Sequence, residues 1–389
     1  MDVDLKLTDE QRQILEMVRE LARERIAPGA GEWDEKDEFP WEVVDAYREA
    51  GLYGLAIPEA YGGVGASELT QVLVVEELAK VDAGSAIILA VQWLGALPIL
   101  VAGSEEQKQR YLPRLATGEW LSAMGLTEPE AGSDVAGLQT RAVREPGGYR
   151  LTGQKKFITN GGVADVVTTF ARTGGPGPKG ISAFIVEKGY EGFSVGRIER
   201  KLGIRSSNTA ELLFDDCRVP EENRIGEEGE GFSVAMRTLD RSRPSVAAQA
   251  LGIAEGAFDA ALQYAQERKA FGREIAQFQA IQFMLADMAM GIEAARGLVY
   301  RAAEMVEEEG RGGRRLVRAN RYSSMAKCFA SDMAMKVTTD AVQIFGGYGY
   351  IKDFPVERYM RDAKITQIYE GTNEIQRIVI ARSYLSEGA

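Results

Sequence analysis

Residues 149–198, YRLTGQKKFITNGGVADVVTTFARTGGPGPKGISAFIVEKGYEGFSVGRI, decide the fold. Runs of β-branched and aromatic residues alternate here with turn residues, at 149–152, 166–171, 181–186 and 193–198, and a further run follows at 212–214. A spacing of about 10 to 17 residues leaves no room for crossover helices, so the runs predict a compact antiparallel sheet or barrel rather than βαβ units.

Outward from this stretch the pattern is helical on both sides. Thr8 and Gln11 form a capping-box signature, and Ile14, Val18, Leu21 and Ile26 recur near helical spacing until Pro28. Residues 41–55, 68–80 and 105–115 read as further amphipathic helices. After Gly231, the segments 232–309, 314–345 and 361–385 have the composition of packed helices of about 20 to 30 residues, broken near Gly272 and at 310–313. The chain is therefore mainly α with a β middle: a helical domain at 1–120, a β domain at 121–230 and a helical domain at 231–389. Residues 83–104, AGSAIILAVQWLGALPILVAGS, carry no formal charge over 22 positions. Gln92, Pro98 and three glycines interrupt them, so a buried helix and turn is expected rather than a membrane span.

Composition narrows the chemistry. The 389 residues contain no histidine and two cysteines, Cys217 and Cys328. Histidine-based triads, histidine-ligated metals and imidazole bases are excluded, leaving a carboxylate, Lys, Tyr, Cys or a cofactor atom for any proton transfer. Two distant cysteines suit a reducing interior, and the acidic N-terminus carries no secretion or transit signal, so a cytoplasmic protein is expected. A net charge of −12 argues against nucleic acid as a partner.

No G-x-G-x-x-G fingerprint and no P-loop occurs. Three segments are nevertheless richer in polar and glycine residues than packing requires. GLTEPEAGSD, 125–134, places Thr127, Gly132 and Ser133 close together, which suits a polar heterocycle or phosphate; an ordinary Glu-Pro and Gly-Ser turn accounts for it better on composition alone. KKFITNGG, 155–162, sets an aromatic beside Thr159, yet equally reads as a strand ending in an Asn-Gly turn. In 343–350, QIFGGYGY, and 361–377, RDAKITQIYEGTNEIQR, Glu370 lies between Tyr369 and Gly371. That is either a candidate general base or a solvated Glu near a helix end.

Together with ERKAFG at 267–272, these segments in this order resemble the signature set of the acyl-CoA dehydrogenase family over essentially the whole chain. The resemblance implies an N-terminal helical domain, a middle β-barrel and a C-terminal four-helix bundle. It implies FAD as cofactor, bound by Met124, Leu126, Thr127, Gly132, Ser133, Phe157, Ile158 and Thr159, with Thr372, Asn373 and Glu374 beside it. Arg268, Phe271, Gln279, Gln343, Ile344, Gly346 and Gly347 would reach the FAD of a neighbouring subunit in a homotetramer. Many relatives carry Trp at the position of Phe157. Ser133, Asp240, Arg241, Ser242, Arg243 and Gly371 would contact acyl-CoA.

The implied reaction is α,β-dehydrogenation of a short- to medium-chain acyl-CoA. Glu370 takes the pro-R α-proton, hydride passes to flavin N5, and trans-2-enoyl-CoA results, with electrons leaving to an electron-transfer flavoprotein in β-oxidation. The thioester oxygen would accept hydrogen bonds from the Glu370 N–H and the flavin ribityl chain. Isovaleryl and long-chain relatives carry the base at the position of Ser242, where serine cannot serve. Glutaryl relatives carry an arginine aligned with Ala86, which disfavours a dicarboxylyl substrate. Alternatives are an oxygen-using acyl-CoA oxidase or flavin monooxygenase of this fold, and a non-catalytic acyl-CoA-binding scaffold. The direction of Trp93, which decides pocket depth, is not legible in the sequence.

Overall fold

The computed structural model describes residues 7–312 and 317–387. The acidic residues 1–6 and the helix start expected at Arg314 lie outside the described residues. The Thr8 hydroxyl accepts from the Gln11 N–H while the Gln11 side chain accepts from the Thr8 N–H, so the expected capping box opens α1 (Asp9–Leu21). A π-helical turn, Ala22–Ile26, carries the apolar stripe on towards Pro28. Next come α2 (Ala30–Lys36), α3 (Trp41–Glu49), α4 (Glu68–Ala79), α5 (Ala83–Ala102) and α6 (Glu105–Thr117). The helix expected at 41–55 stops at Glu49, because Gly51 takes φ +67° and a separate 3₁₀ turn, Leu52–Gly54, begins there.

The uncharged segment is one 20-residue helix, α5, and Pro98 sits within it without ending it. Its length and composition would permit a membrane span, but most of it is buried against α4, α7 and the sheet. Gln92, an oddity in the sequence, is fully buried and fully used. Its Nε2 donates to the Leu115 and Trp120 carbonyls at 3.1 and 2.8 Å, and its Oε1 accepts from the Ser122 N–H at 2.8 Å. The amide thus ties α5 to α6 and to the first strand. Gly95 allows that approach: a Cβ there would lie 2.4 Å from Ser122 Oγ and 3.0 Å from the Ala123 nitrogen. Gly95→Ala is expected to cost roughly 1–3 kcal/mol by overpacking, read as a lower denaturation midpoint with unchanged slope.

The middle strands are β1 (Ser122–Gly125), β2 (Arg141–Glu145), β3 (Gly148–Thr159), β4 (Val166–Arg172), β5 (Ile181–Glu187), β6 (Phe193–Ile198), β7 (Thr209–Pro220) and β8 (Arg224–Ile225). They pair in the order β6-β7-β3-β2-β4-β5-β8. The ends, β6 and β8, do not pair with each other among the described residues, so the expected barrel is an open sheet. Nor is it wholly antiparallel. β1 runs parallel to β4, with its first residue held by Gln92 of α5, and β2 meets β4 at a single residue pair, Arg141 with Arg172. β1, β2 and β8 were not anticipated; all three are short.

The C-terminal part holds α7 (Gly231–Glu267), the hairpin β9 (Lys269–Ala270) and β10 (Arg273–Glu274), α8 (Gln279–Gly312), α9 (Val317–Phe345), α10 (Val356–Thr366) and α11 (Asn373–Glu387). The three long helices pack on one another; α10 lies on α7 and α9, and α11 on α9. The segment read as helical at 361–385 is therefore two helices, interrupted at 367–372, and Glu370 lies in the interruption. A buried charge network locks α4 to this bundle. Arg296 of α8 donates to Glu76 at 3.2 Å and Glu255 at 2.8 Å, and the Tyr300 hydroxyl donates to Glu76 at 2.8 Å.

Candidate active site

Three sequence-distant segments converge at the seam between sheet and bundle. Strand β3 ends in a bulge between Lys155 and Ile158, where Phe157 takes φ +60° and stands 60% exposed over a cleft. Left-handed backbone on a bulky residue is costly, so the surrounding structure must impose it. Beneath the bulge, the Lys155 ammonium is fully buried and donates to Glu128 at 2.6 Å, and the Gln139 and Thr140 N–H groups donate to the same carboxylate. Burial pulls Lys155 down to about 8, so it stays charged at neutral pH. Burial also opposes the Glu128 carboxylate, but the Lys155 charge and these hydrogen bonds outweigh it and hold its pKa below the usual range.

This pair pins the loop 126–134. Glu128 and Ala131 exchange backbone hydrogen bonds of 3.1 Å around Pro129 and Glu130, closing the turn suspected from composition. Gly132 and Ser133 then open onto the cleft, and nothing lies within 4 Å of where a Gly132 Cβ would be.

The third segment is Tyr369 to Gly371. Glu370 takes φ +52° and Gly371 φ +93°. The Gln376 amide donates to both their carbonyls, at 3.1 and 3.0 Å, and the Lys327 ammonium donates to the Gly371 carbonyl at 2.8 Å. The Glu370 N–H donates to no group among the described residues. Its carboxylate accepts from the Ser242 hydroxyl at 2.5 Å. Burial raises the Glu370 pKa above the ordinary carboxylate range; the Ser242 hydrogen bond and the charges of Arg243 and Lys327 only partly offset this.

Glu370 stands between two cavities of about 200 Å³ each. One is lined by Met124, Leu126, Thr127, Gly132, Ser133, Phe157, Ile158, Thr159, Arg243, Tyr369 and Gly371. The other is lined by Ala90, Trp93, Leu94, Leu97, Val246 and Ser242, with Glu68, Gln71 and Arg241 also on its wall. Trp93 faces this second cavity while its Nε1 donates to the Tyr53 carbonyl at 3.1 Å, which settles its direction. The α5 residues on the two cavities are uncharged, and Ala86 is buried away from both.

The first cavity suits a planar polar heterocycle. The hydroxyls of Thr127, Ser133 and Thr159 face it with no hydrogen bond among the described residues, Gly132 leaves an open backbone, and Phe157 offers an exposed ring.

Other expected residues lie elsewhere. Arg268, Phe271, Gln279, Gln343, Gly346 and Gly347 line neither cavity. Phe271 is 96% exposed at the tip of the β9–β10 hairpin, and the Arg268 guanidinium stacks 5.2 Å from the Tyr348 ring, which joins hairpin and glycine-rich turn into one surface. Ile344 is buried in the bundle core, and the Asn373 amide is bound by Lys327, Ser331 and Asp332. Asp240 likewise turns inward, accepting from Arg243 at 2.6 Å and Asn320 at 2.9 Å. Thr372 and Glu374 stand at the start of α11 beside this loop.

Lys155, Lys327 and Gln376 were missed. Lys155 was findable, since it shares the inward face of β3 with Tyr149 and Leu151; Lys327 sits on a helix face with no comparable signal.

The chain belongs to the acyl-CoA dehydrogenase family, a family of FAD-dependent oxidoreductases, and a carboxylate between two such cavities fits that class. The family's N-terminal, middle and C-terminal domain profiles match residues 8–119, 123–217 and 229–385. Among individual relatives, an acyl-CoA dehydrogenase of Bacillus subtilis is 51% identical over 98% of this chain and 99% of its own. The solved butyryl-CoA dehydrogenase of Megasphaera elsdenii is 48% identical, with TM-score 0.94 over 98% of this chain and 100% of that one. A chain solved in work on the electron transferring flavoprotein of Acidaminococcus fermentans is 54% identical, with TM-score 0.94 over the same shares.

Proposed function

We propose that the protein oxidises short- to medium-chain acyl-CoA thioesters to trans-2-enoyl-CoA, with Glu370 as the base that removes the α-proton. The observation that carries the reading is the placement of one half-buried carboxylate, its pKa raised by desolvation, between a mainly apolar cavity and one lined by unspent hydroxyls and an exposed aromatic ring. FAD, when bound, supplies the hydride acceptor. The chain's own residues do the rest. Thr127, Ser133 and Thr159 offer unspent hydroxyls to the cofactor, and Phe157 covers its ring. The unpaired Glu370 N–H is a donor for the thioester oxygen, which stabilises charge developing there as the α-proton leaves. Gln376 and Lys327 clamp the loop so that donor and carboxylate keep their relation.

The acyl chain enters the cavity walled by Trp93, Leu94 and Val246. Electrons pass to an electron-transfer flavoprotein, consistent with the Acidaminococcus relative. We place the protein in the cytoplasm as a homotetramer, in which the surface carrying Phe271, Arg268 and the 346–350 turn completes a neighbour's FAD site.

The test is anaerobic bleaching of the purified flavoprotein across a series of straight acyl-CoAs. Bleaching by butyryl- to octanoyl-CoA with slow reoxidation in air is expected; rapid peroxide formation would point to an oxidase. Because the Trp93 indole walls the acyl cavity, Trp93→Leu is expected to raise the octanoyl-to-butyryl ratio of kcat/KM by roughly tenfold or more. An unchanged ratio removes Trp93 from chain-length selection.

A further inference from the structure

We propose that Ser242 positions the base: its hydroxyl holds Glu370 Oε2 so that Oε1 is presented to the acyl α-carbon. The inference rests on the reading of Glu370 as the base. Glu370 lies on a loop, and its carboxylate has three rotatable side-chain bonds to lose before it can point anywhere reliably. Among the described residues one hydrogen bond restrains it, from Ser242 Oγ to Oε2 at 2.5 Å; Oε1 has no partner. The distance is that of a charge-assisted O–H···O⁻ bond. The donor is well anchored, because Ser242 is buried on the 37-residue helix α7.

The same hydroxyl lies 3.3 Å from the Leu239 carbonyl of its own helix. One proton thus has two acceptors. While Glu370 is ionised, the carboxylate is the stronger acceptor and takes it. Once Glu370 has received the α-proton its oxygens accept more weakly, and the hydroxyl can fall back to Leu239 without being left unpaired. Ser242 therefore favours the ionised, oriented base before the reaction and does not have to be desolvated after it.

Other charged and titratable groups also face this carboxylate or its cavity. Arg243 on α7 and Lys327 on α9 draw its pKa down through space. Burial lowers Lys327 to about 8, against the pull of the Glu370 charge. Tyr369, on the same loop, has its phenol pushed well above its ordinary value by burial and donates to Gln249. Arg241 of α7 and Glu68 of α4 pair at 3.8 Å on the wall of the adjoining cavity, and burial raises Glu68 to about 7. Helix α5 and the sheet present no titratable side chain to either cavity. Losing the Ser242 donor disfavours the ionised form, so the proton leaves Glu370 at higher pH and the acid limb of activity moves upward.

The test uses the holoenzyme with Ser242→Ala, Ser242→Cys and Ser242→Thr. Two quantities are read: the pH dependence of kcat/KM for butyryl-CoA, and, without substrate, the infrared titration of the carboxyl C=O band that disappears in Glu370→Gln. In Ser242→Ala both are expected to move up by roughly one to two pH units, with kcat/KM at pH 7 down about tenfold and FAD content retained. Ser242→Cys, a weaker donor of similar size, should fall between, and Ser242→Thr should restore both. Wild-type titration of the carboxyl band in either the Ala or the Cys variant overturns the role of Ser242. Wild-type turnover by Glu370→Gln instead overturns the assignment of the base itself.

Discussion

Glu370→Gln is expected to retain FAD and lose roughly a thousandfold in acyl-CoA-dependent flavin bleaching, within the range that a positioned general base contributes. Glutamine has nearly the same shape, and its carbonyl oxygen can still accept from Ser242. The backbone clamps are untouched, since Gln376 and Lys327 bind the carbonyls of Glu370 and Gly371 rather than the carboxylate. The loop should therefore keep its left-handed turn, and the unpaired N–H should still meet the thioester. What disappears is a group that can hold a proton. Loss of the Glu370 charge also removes the influence that props up Lys327, so that ammonium should deprotonate at lower pH than in the parent. Single-turnover bleaching under anaerobic conditions, with FAD content measured alongside, checks the expectation. Rates within threefold of the parent would sink the assignment.

The second large effect concerns stability. Lys155→Met should destabilise the protein by about 3–5 kcal/mol, because it leaves the buried Glu128 carboxylate without its cation. Two backbone N–H groups would still donate to Glu128, from Gln139 and Thr140, but no positive charge would remain in direct contact with it. The consequence should reach the cofactor. Lys155 also reaches the Leu126 carbonyl at 3.3 Å, and the Lys156 N–H donates to the Thr127 carbonyl at 2.8 Å, so the bulge and the loop are held as one piece. The variant is expected to lose FAD on dilution as well as to unfold at lower denaturant. Adding Glu128→Gln should recover a large part of the stability, since the isolated charge rather than the missing contact is the main penalty. Equal stability of the single and double variants would refute that account. In the parent, the folded-state pKa of Glu128 is depressed. Its contribution is therefore complete above the unfolded value near 4.5 and is lost as pH falls through the folded value.

Much of this molecule is written locally. The capping box at Thr8, the stop at Pro28, the four β-runs in 149–198 and the apolar character of α5 all follow from spacing and turn chemistry, which act over a few residues. So does the elimination of imidazole and histidine-ligated-metal chemistry by composition. The joint occurrence of the glycine-rich segments pointed to the family, and with it to Glu370. Errors fell where local pattern is silent. β1 and β8 are too short for alternation to show, the start of β1 is held by a glutamine on another element, and the helix break at Glu370 carries no proline.

The sequence by itself determined the broad layout of helices and strands and the absence of histidine, and through the family resemblance it pointed to Glu370 as the candidate base. Only the tertiary structure decided how that residue is held. Ser242 and Gln376 lie 128 and 6 positions from Glu370, and Lys327 lies 44 from Gly371, whose carbonyl it binds. Whether a serine donates to a carboxylate or to its own helix, and whether Trp93 walls a cavity or leaves it open, depends on distances of a few ångströms between elements. Those distances are set by the packing of α5, α7 and α9, where a pattern read along one segment has no term for its neighbours.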